Sequence, residues 1–419
     1  MFYLGIDFGT TGARAQVINA EGKIVTEEQR DFGALNEYET ADIWREALWD
    51  LLASLPAAIR TQLTAIAIDG TSGTVLACDA DLKPTHPPLL YNDDRAVAEA
   101  QQSARAAPLG HPAAAVTSGL AKVLWLKSRL GLTGARLYLN QADWLSGMLT
   151  EQPGFSDYHN ALKMGMDLDT LAWPGWMRQL IEVNYLPLPV MPGSILTTLS
   201  SARARYLGLN PACGVRAGTT DSIAAFLASG ASQSGQAVTS LGSTLVLKLL
   251  SDTRVESAGH GVYSHWFGRR WLAGGASNAG GAVLRQFFDD SQLAALSAAI
   301  DPTVPSPLDY VPLPRIGERF PINDPHLSPR LTPRPADDAA FLHGLLESLA
   351  RIEAQGYRLL IGLGATPLVK VESAGGGAQN DAWTCIRQRL LNVPVTRAAH
   401  TQSAYGVALL AREGVDLFL

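Results

Sequence analysis

The sequence predicts a two-domain α/β protein, and three observations predict it. The chain has 419 residues, enough for two or three domains of ~100–200 residues each. Strand-like and helix-like segments alternate along it. A strand–turn–strand segment near the N terminus returns about half a chain later, which points to a duplicated architecture with one copy per domain.

Phe2 to Asp7 reads as a strand, followed by the tight polar turn Phe8-Gly9-Thr10-Thr11-Gly12. Ala13 to Ile18 alternates as a second strand, and Asn19-Ala20-Glu21-Gly22 closes it as a hairpin turn. Lys23-Ile24-Val25 opens a third strand. Residues 41–56 carry helical spacing at Ile43, Ala47, Leu51 and Leu52, and Leu63 to Ile68 is again a strand. Ala65 to Leu76 repeats the opening pattern as strand, Gly/Thr/Ser turn and strand. Val215 to Ser222 holds a similar turn that leads into a helical Ile223–Ala228. Val238 to Lys248, with Ser240-Leu241-Gly242-Ser243-Thr244 at its turn, is the closest copy of the first hairpin.

Residues 301–338 hold ten of the 24 prolines. They read as a surface excursion inside the second domain, because a helix with Phe341, Leu345, Leu349 and Ile352 on one face follows at once. Val371 to Asn380 reads as strand, Gly loop and helix start, and Asp381 to Leu391 continues the helix. Val393-Pro394-Val395 is a short strand, and Ala404 to Arg412 is a closing helix with a small-residue face. The expected domains are 1–228 with 402–419 returning to it, and 229–401.

Composition excludes several classes. A hydrophobic fraction of 47% excludes intrinsic disorder. The balance of 33 Lys+Arg against 39 Asp+Glu argues against a nucleic-acid binder, yet leaves room for an anionic ligand held by backbone amides and a metal ion. Cys78, Cys213 and Cys385 form no CxxC, and their odd number suits a reducing cytoplasm. Neither a signal peptide nor a membrane-length apolar run is visible, so a soluble, cytoplasmic protein is expected.

Familiar phosphate cradles are missing. The Gly22-Lys23 pair has Val17 where a P-loop needs its first glycine, and Gly362-Leu363-Gly364 ends at Pro367. HExxH is absent and the eight histidines are dispersed, so no His-built metal site is supported. What remains is a pair of Gly-Thr/Ser hairpins and a Gly375-Gly376-Gly377 loop. Such turns offer N–H and hydroxyl donors to phosphate oxygens, and glycine admits close approach. Asp7 ends the first strand, where a carboxylate suits a hydrated Mg²⁺ held against phosphates.

In order along the chain, Asp7-Phe8-Gly9-Thr10-Thr11, Ser240-Leu241-Gly242-Ser243-Thr244 and Ala374-Gly375-Gly376-Gly377-Ala378-Gln379-Asn380 resemble the two phosphate motifs and the adenosine motif of the actin-like ATPase superfamily. Ala217-Gly218-Thr219-Thr220-Asp221-Ser222 resembles the catalytic segment of its sugar-kinase branch, the FGGY carbohydrate kinases. Residues 68–76, 156–163 and 317–321 make the chain similar to the short D-ribulose kinases of cyanobacteria and plants within that family. The resemblance runs from Gly5 to the closing helix. It implies a ribonuclease-H-like, actin-like fold with an interdomain cleft, a sugar-binding N-terminal-type domain and a nucleotide-binding C-terminal-type domain. It also implies ATP and Mg²⁺ as cofactors, and phosphorylation of the 5-hydroxyl of D-ribulose. No nucleic-acid or membrane partner is implied.

Carried over by position, the resemblance makes Asp221 the general base and gives Asp7 the metal and the transferring phosphoryl group. Thr10, Thr11, Gly12 and Ala13 would line the first phosphate hairpin and the reacting end of the sugar, and Ser72 would bond the sugar. Gly242, Ser243 and Thr244 would contact the phosphates, and Gly376, Gly377 and Asn380 the adenosine, with Trp383 nearby. The residues alone leave plainer readings open. Asp221 also suits a helix cap, Ser72 a turn, Trp383 a core position and Arg14 a solvated strand. His159 and Asn160 stay outside the site as sugar-cleft or turn-capping residues. The chain is shorter than typical xylulose or glycerol kinases and has Asp69-Gly70-Thr71-Ser72 in place of bulkier sugar-binding motifs. D-Xylulose or another small sugar or polyol stays open as the substrate, and so does an actin-like nucleotide sensor or ATPase.

Overall fold

The computed structural model describes residues 1–33, 36, 38–130 and 135–418. The chain divides into two compact units, Met1–Ala228 with Gln402–Leu419, and Ser229–Thr401. Unit 1 contains β1 (Phe2–Phe8), β2 (Gly12–Asn19), β3 (Ile24–Asp31), β4 (Leu63–Gly70), β5 (Val75–Cys78), β6 (Leu137–Asn140), β7 (Phe155–Asp157), β8 (Leu188–Val190), β9 (Ile195–Thr198) and β10 (Gly214–Thr220). Unit 2 contains β11 (Gln236–Leu241), β12 (Leu245–Ser251), β13 (Tyr263–Phe267), β14 (Arg270–Ser277), β15 (Lys370–Ala374) and β16 (Val395–Arg397).

The two six-stranded sheets run β3-β2-β1-β4-β10-β9 and β13-β14-β12-β11-β15-β16. In each, an antiparallel hairpin (β1–β2, β11–β12) is extended by parallel strands, β4 and β10 in one and β15 and β16 in the other. The duplicated hairpin read from the sequence is therefore the start of a duplicated mixed sheet. The parallel strands are buried, as β4 shows with seven of eight residues closed off, because helices cover their faces. The closing helix Ser403–Glu413 packs its small residues Ala404 and Ala408 on Gly5 of β1, the close approach its composition predicts.

Residues 65–76 are strand, turn and strand as read, and the two strands join different sheets: β4 pairs with β1 and β10, and β5 pairs with β6. Between Val215 and Ser222 no separate turn intervenes, since β10 reaches Thr220 and the helix Asp221–Ala228 begins on the next residue. The proline-rich segment stays within unit 2 and runs largely over its surface, as read, but it is pinned to the core. Tyr310, Leu313 and Phe320 are buried in the unit 2 core, and Arg351 holds the segment through the carbonyls of Ser306 and Leu308 at 3.1 Å each. Apolar residues placed among the prolines gain more by burial than the segment's lack of regular structure costs. No described helix is long and apolar enough to cross a membrane. The three cysteines are unpaired.

Candidate active site

The C-terminal ends of the parallel strands β1, β4 and β10 bring three carboxylates together in unit 1. Asp7 of β1 stands in register with Asp69 of β4, which is in register with Thr219 of β10, two residues before Asp221. Such strand ends are where open α/β sheets bind ligands. Asp7 is half-buried, and burial raises its carboxyl above the ordinary range. A hydrogen bond from Asp69 and the charge of Arg14 oppose that rise, while the Asp221 charge adds to it.

Asp69 is fully buried, and no N–H or hydroxyl reaches either of its oxygens. It faces the carboxylate of Asp7, and two carboxyls share a hydrogen bond only when one keeps its proton. Burial, with the charges of Asp7, Asp221 and Asp157, pushes Asp69 well above the ordinary range. The sequence reading treated Asp69 as part of a turn and missed this pairing.

Asp221 is the first residue of its helix, and its Oδ1 accepts the Ser222 N–H at 2.7 Å. Lys163, at the end of the helix Tyr158–Lys163, lies in the field of Asp221; burial lowers its ammonium and Asp221 opposes that shift. Lys163 donates no hydrogen bond among the described residues. Its stem packs beside Gly73, next to Ser72. The Ser72 hydroxyl is itself buried without a partner. A buried hydroxyl left unbonded is costly unless a ligand completes it, and the half-buried Lys163 ammonium stands close by.

Other residues singled out by the sequence take plainer places. Thr10 and Thr11 are exposed at the first hairpin turn, which the Gly9 N–H closes onto Gly12 carbonyl at 3.0 Å. Ala13 does not line an open site with its side chain, which is 2% exposed in the core. Arg14 is tied to Gln29 at 2.6 Å. His159 and Asn160 are buried and spent on the interior: the His159 ring meets Thr219 at 2.7 Å, and Asn160 donates to Asp157 at 2.6 Å.

In unit 2, Gly242 and Ser243 are exposed at the second hairpin turn and Thr244 is half-buried. The turn is steadied from beneath, where Gly281 and Ala282 donate to the carbonyls of Gly242 and Ser243 at 2.8 and 3.1 Å. The glycine loop after β15 divides its work. A Cβ on Gly376 would enter open space, whereas one on Gly377 would lie 2.5 Å from the Trp383 ring and 2.8 Å from Leu241. Gly377 is thus needed for packing under the loop, and the buried Trp383 is the core residue it packs on. The Asn380 side chain caps the helix Asp381–Leu391 through Trp383 N–H at 2.9 Å and donates to Ser297 at 2.7 Å.

Asp7 suits a divalent cation in one particular way. Among the described residues no group of three or more His, Cys, Asp or Glu is placed to enclose a metal. A single carboxylate next to exposed turn hydroxyls is instead the donor set of a Mg²⁺ that keeps its waters and is held chiefly by ligand phosphates.

The chain matches the FGGY family of carbohydrate kinases along nearly its whole length, as the N-terminal domain over residues 2–228 and the C-terminal domain over residues 237–412. The xylulose kinase of Staphylococcus xylosus is 23% identical over 450 residues, covering 100% of this chain and 92% of the relative. Among solved structures, a xyloylose kinase from Brucella ovis superposes with a TM-score of 0.88 at 21% identity, covering 99% of this chain and 91% of the other. Plasmodium falciparum glycerol kinase with ADP superposes at 0.85 and 18% identity, covering 99% and 90%. The mixed sheets and helices are those of the two-domain sugar-kinase fold of actin-like type. The chain belongs to the FGGY family and is an ATP-dependent carbohydrate kinase.

Proposed function

We propose that this carbohydrate kinase phosphorylates the 5-hydroxyl of D-ribulose, giving D-ribulose 5-phosphate and ADP. The observation that carries the reading is the buried, unbonded Ser72 hydroxyl, with Lys163 packed beside the neighbouring Gly73 and in the field of Asp221. A small polyhydroxylated ligand supplies the partner that the hydroxyl lacks.

Asp221 accepts the proton of the attacking hydroxyl, the sugar oxygen forms its bond to the γ-phosphorus in line, and the bond to the β-phosphate oxygen breaks to release ADP. Ser72 and Lys163 hold the sugar oxygens. Thr10 and Thr11 of the first turn, and Gly242, Ser243 and Thr244 of the second, donate to the phosphates, and Gly376 lets the adenosine lie on its backbone. Asp7 holds the hydrated Mg²⁺, which supplies charge neutralisation on the phosphates when bound.

The experiment is an ATP-consumption assay across pentuloses, pentoses, polyols, gluconate and glycerol, with a no-sugar control and a chelator control. D-Ribulose giving the highest kcat/KM, with turnover abolished by chelator and restored by Mg²⁺, supports the reading. Preference for D-xylulose replaces the substrate, and full-rate hydrolysis without sugar contradicts the kinase assignment.

A further inference from the structure

One buried lysine has no part in the chemistry above. Lys122, in the helix Gly119–Leu130, has no exposed surface. Its Nζ donates to three backbone carbonyls, Gly73 at 2.7 Å, Leu90 at 2.6 Å and Tyr91 at 3.1 Å. An ammonium has three N–H donors, and all three are used. No ion pair joins it to a carboxylate among the described residues. Taking an ammonium out of water costs several kcal/mol, which an apolar side chain of similar length avoids. The charge is therefore retained for what it holds.

What it holds is the turn that carries Ser72. Residues 70–74 are anchored on one side by Gln141, whose Oε1 accepts from the Thr71 N–H and hydroxyl at 3.0 Å each. The Thr71 and Thr74 hydroxyls bond each other at 2.6 Å. Gly73 sits at φ +84°, a left-handed conformation that glycine adopts without strain, in the turn that the Thr74 N–H closes onto the Thr71 carbonyl at 3.2 Å. Lys122 donates to the Gly73 carbonyl and ties it to the Leu90–Tyr91 segment, which is itself bridged to β5 through Leu89 and Val75. Ser72 lies between the two anchors, with its hydroxyl unbonded.

We propose that Lys122 is the positioning residue of the sugar site: by holding the Gly73 carbonyl against those of Leu90 and Tyr91, it fixes the turn that presents the Ser72 hydroxyl to the substrate. The inference rests on the sugar site proposed above. It also predicts that sugar binding follows the charge on Lys122, because a neutral amine has one donor fewer and releases a carbonyl. Burial pushes this ammonium down to about 7, with the charge of Asp93 opposing and that of Lys163 reinforcing the shift. Arg95 is paired with Asp93 at 2.9 Å, and His86 lies edge-on to Trp125 of the same helix. The three carbonyl acceptors favour the charged form.

The test is Lys122→Met in the full-length protein, with KM measured separately for D-ribulose and ATP, and a thermal melt beside it. The expected result is a rise of about tenfold in the sugar KM, an ATP KM within about twofold, and a cooperative melt. An unchanged sugar KM in a folded variant overturns the proposal, and so does an equal rise for both substrates. Should the variant not fold, Lys163→Gln decides, since it removes the other ammonium that burial lowers: in that variant a sugar KM that climbs between pH 7 and 9 while the ATP KM stays level supports the proposal, and a level sugar KM overturns it. A parent that turns over no sugar at all defeats the kinase reading itself and this inference with it, an outcome distinct from an active parent whose sugar KM ignores Lys122.

Discussion

Asp7 and Asp69 face each other across the parallel β1–β4 pair and share one hydrogen bond between two carboxyl groups. Burial pushes both carboxyls above the ordinary range, and the fully buried Asp69 farther than Asp7, which is nearer to solvent. The pairing holds the Asp7 carboxylate in one orientation at the strand end, where the metal and phosphates are proposed to bind.

Asp69 is one of several carboxyls that burial pushes upward; Asp143 and Asp157 are the others near it. Each binds its proton in the folded chain at pH values where the unfolded chain, with an ordinary value of 3.8, has released it. Their contribution to stability is full below that value and is lost as pH rises toward the folded-state value. Asp143→Asn keeps the acceptor for the Asn140 amide at 2.9 Å and removes the titration. The stability of the parent relative to this variant is expected to fall between pH 5 and 8 in denaturant titrations. A relative stability that rises over that range contradicts the assignment.

The two glycines of the proposed adenosine loop are expected to separate ligand from fold. Gly376→Val adds a side chain in open space, so its melting temperature should match the parent while the KM for ATP rises far more than that for sugar. Gly377→Val drives a branched side chain against Trp383 and Leu241 and should destabilise by roughly 1–3 kcal/mol. Equal effects of Gly376→Val on both KM values, or a stable Gly377→Val, contradict this division.

Unit 2 also holds a buried ion pair. Arg387 meets Glu353 at 2.6 and 2.7 Å and Ser373 of β15 at 2.7 Å, and Glu353 accepts from Thr239 of β11 at 2.6 Å. The network ties the strand before the second phosphate turn to the strand before the glycine loop. Arg387→Met leaves a buried carboxylate without its cation and should cost about 3–5 kcal/mol in chemical denaturation. A loss below about 1 kcal/mol shows that the pair is not buried as described.

The parts legible in the sequence were those written in turn chemistry. Gly-Thr/Ser turns after alternating strands mark both hairpins, and a triple glycine after a strand marks the loop following β15, because few residues adopt such backbones. The parallel neighbours were not legible. Nothing local in Ala65–Asp69 says that this strand lies between β1 and β10, so the facing of Asp7 and Asp69 came only from long-range pairing. The roles of Lys122 and Lys163 were not legible either, since the carbonyls and the carboxylate that give them meaning lie far away in sequence. Glu318, in a stretch that marked the family resemblance, proves to be a buried clamp that accepts from the Ser277 hydroxyl at 2.6 Å and the Asn278 N–H at 2.7 Å.

The kcat of Asp221→Asn with saturating D-ribulose and Mg²⁺-ATP tests the central claim most directly. Asparagine keeps the shape and can accept the Ser222 N–H at the helix start, but it cannot take the proton of the attacking hydroxyl. The account predicts a normal melt, little change in ATP affinity and a kcat lower by roughly two to four orders of magnitude. A variant that melts normally and turns over within a few-fold of the parent would contradict it.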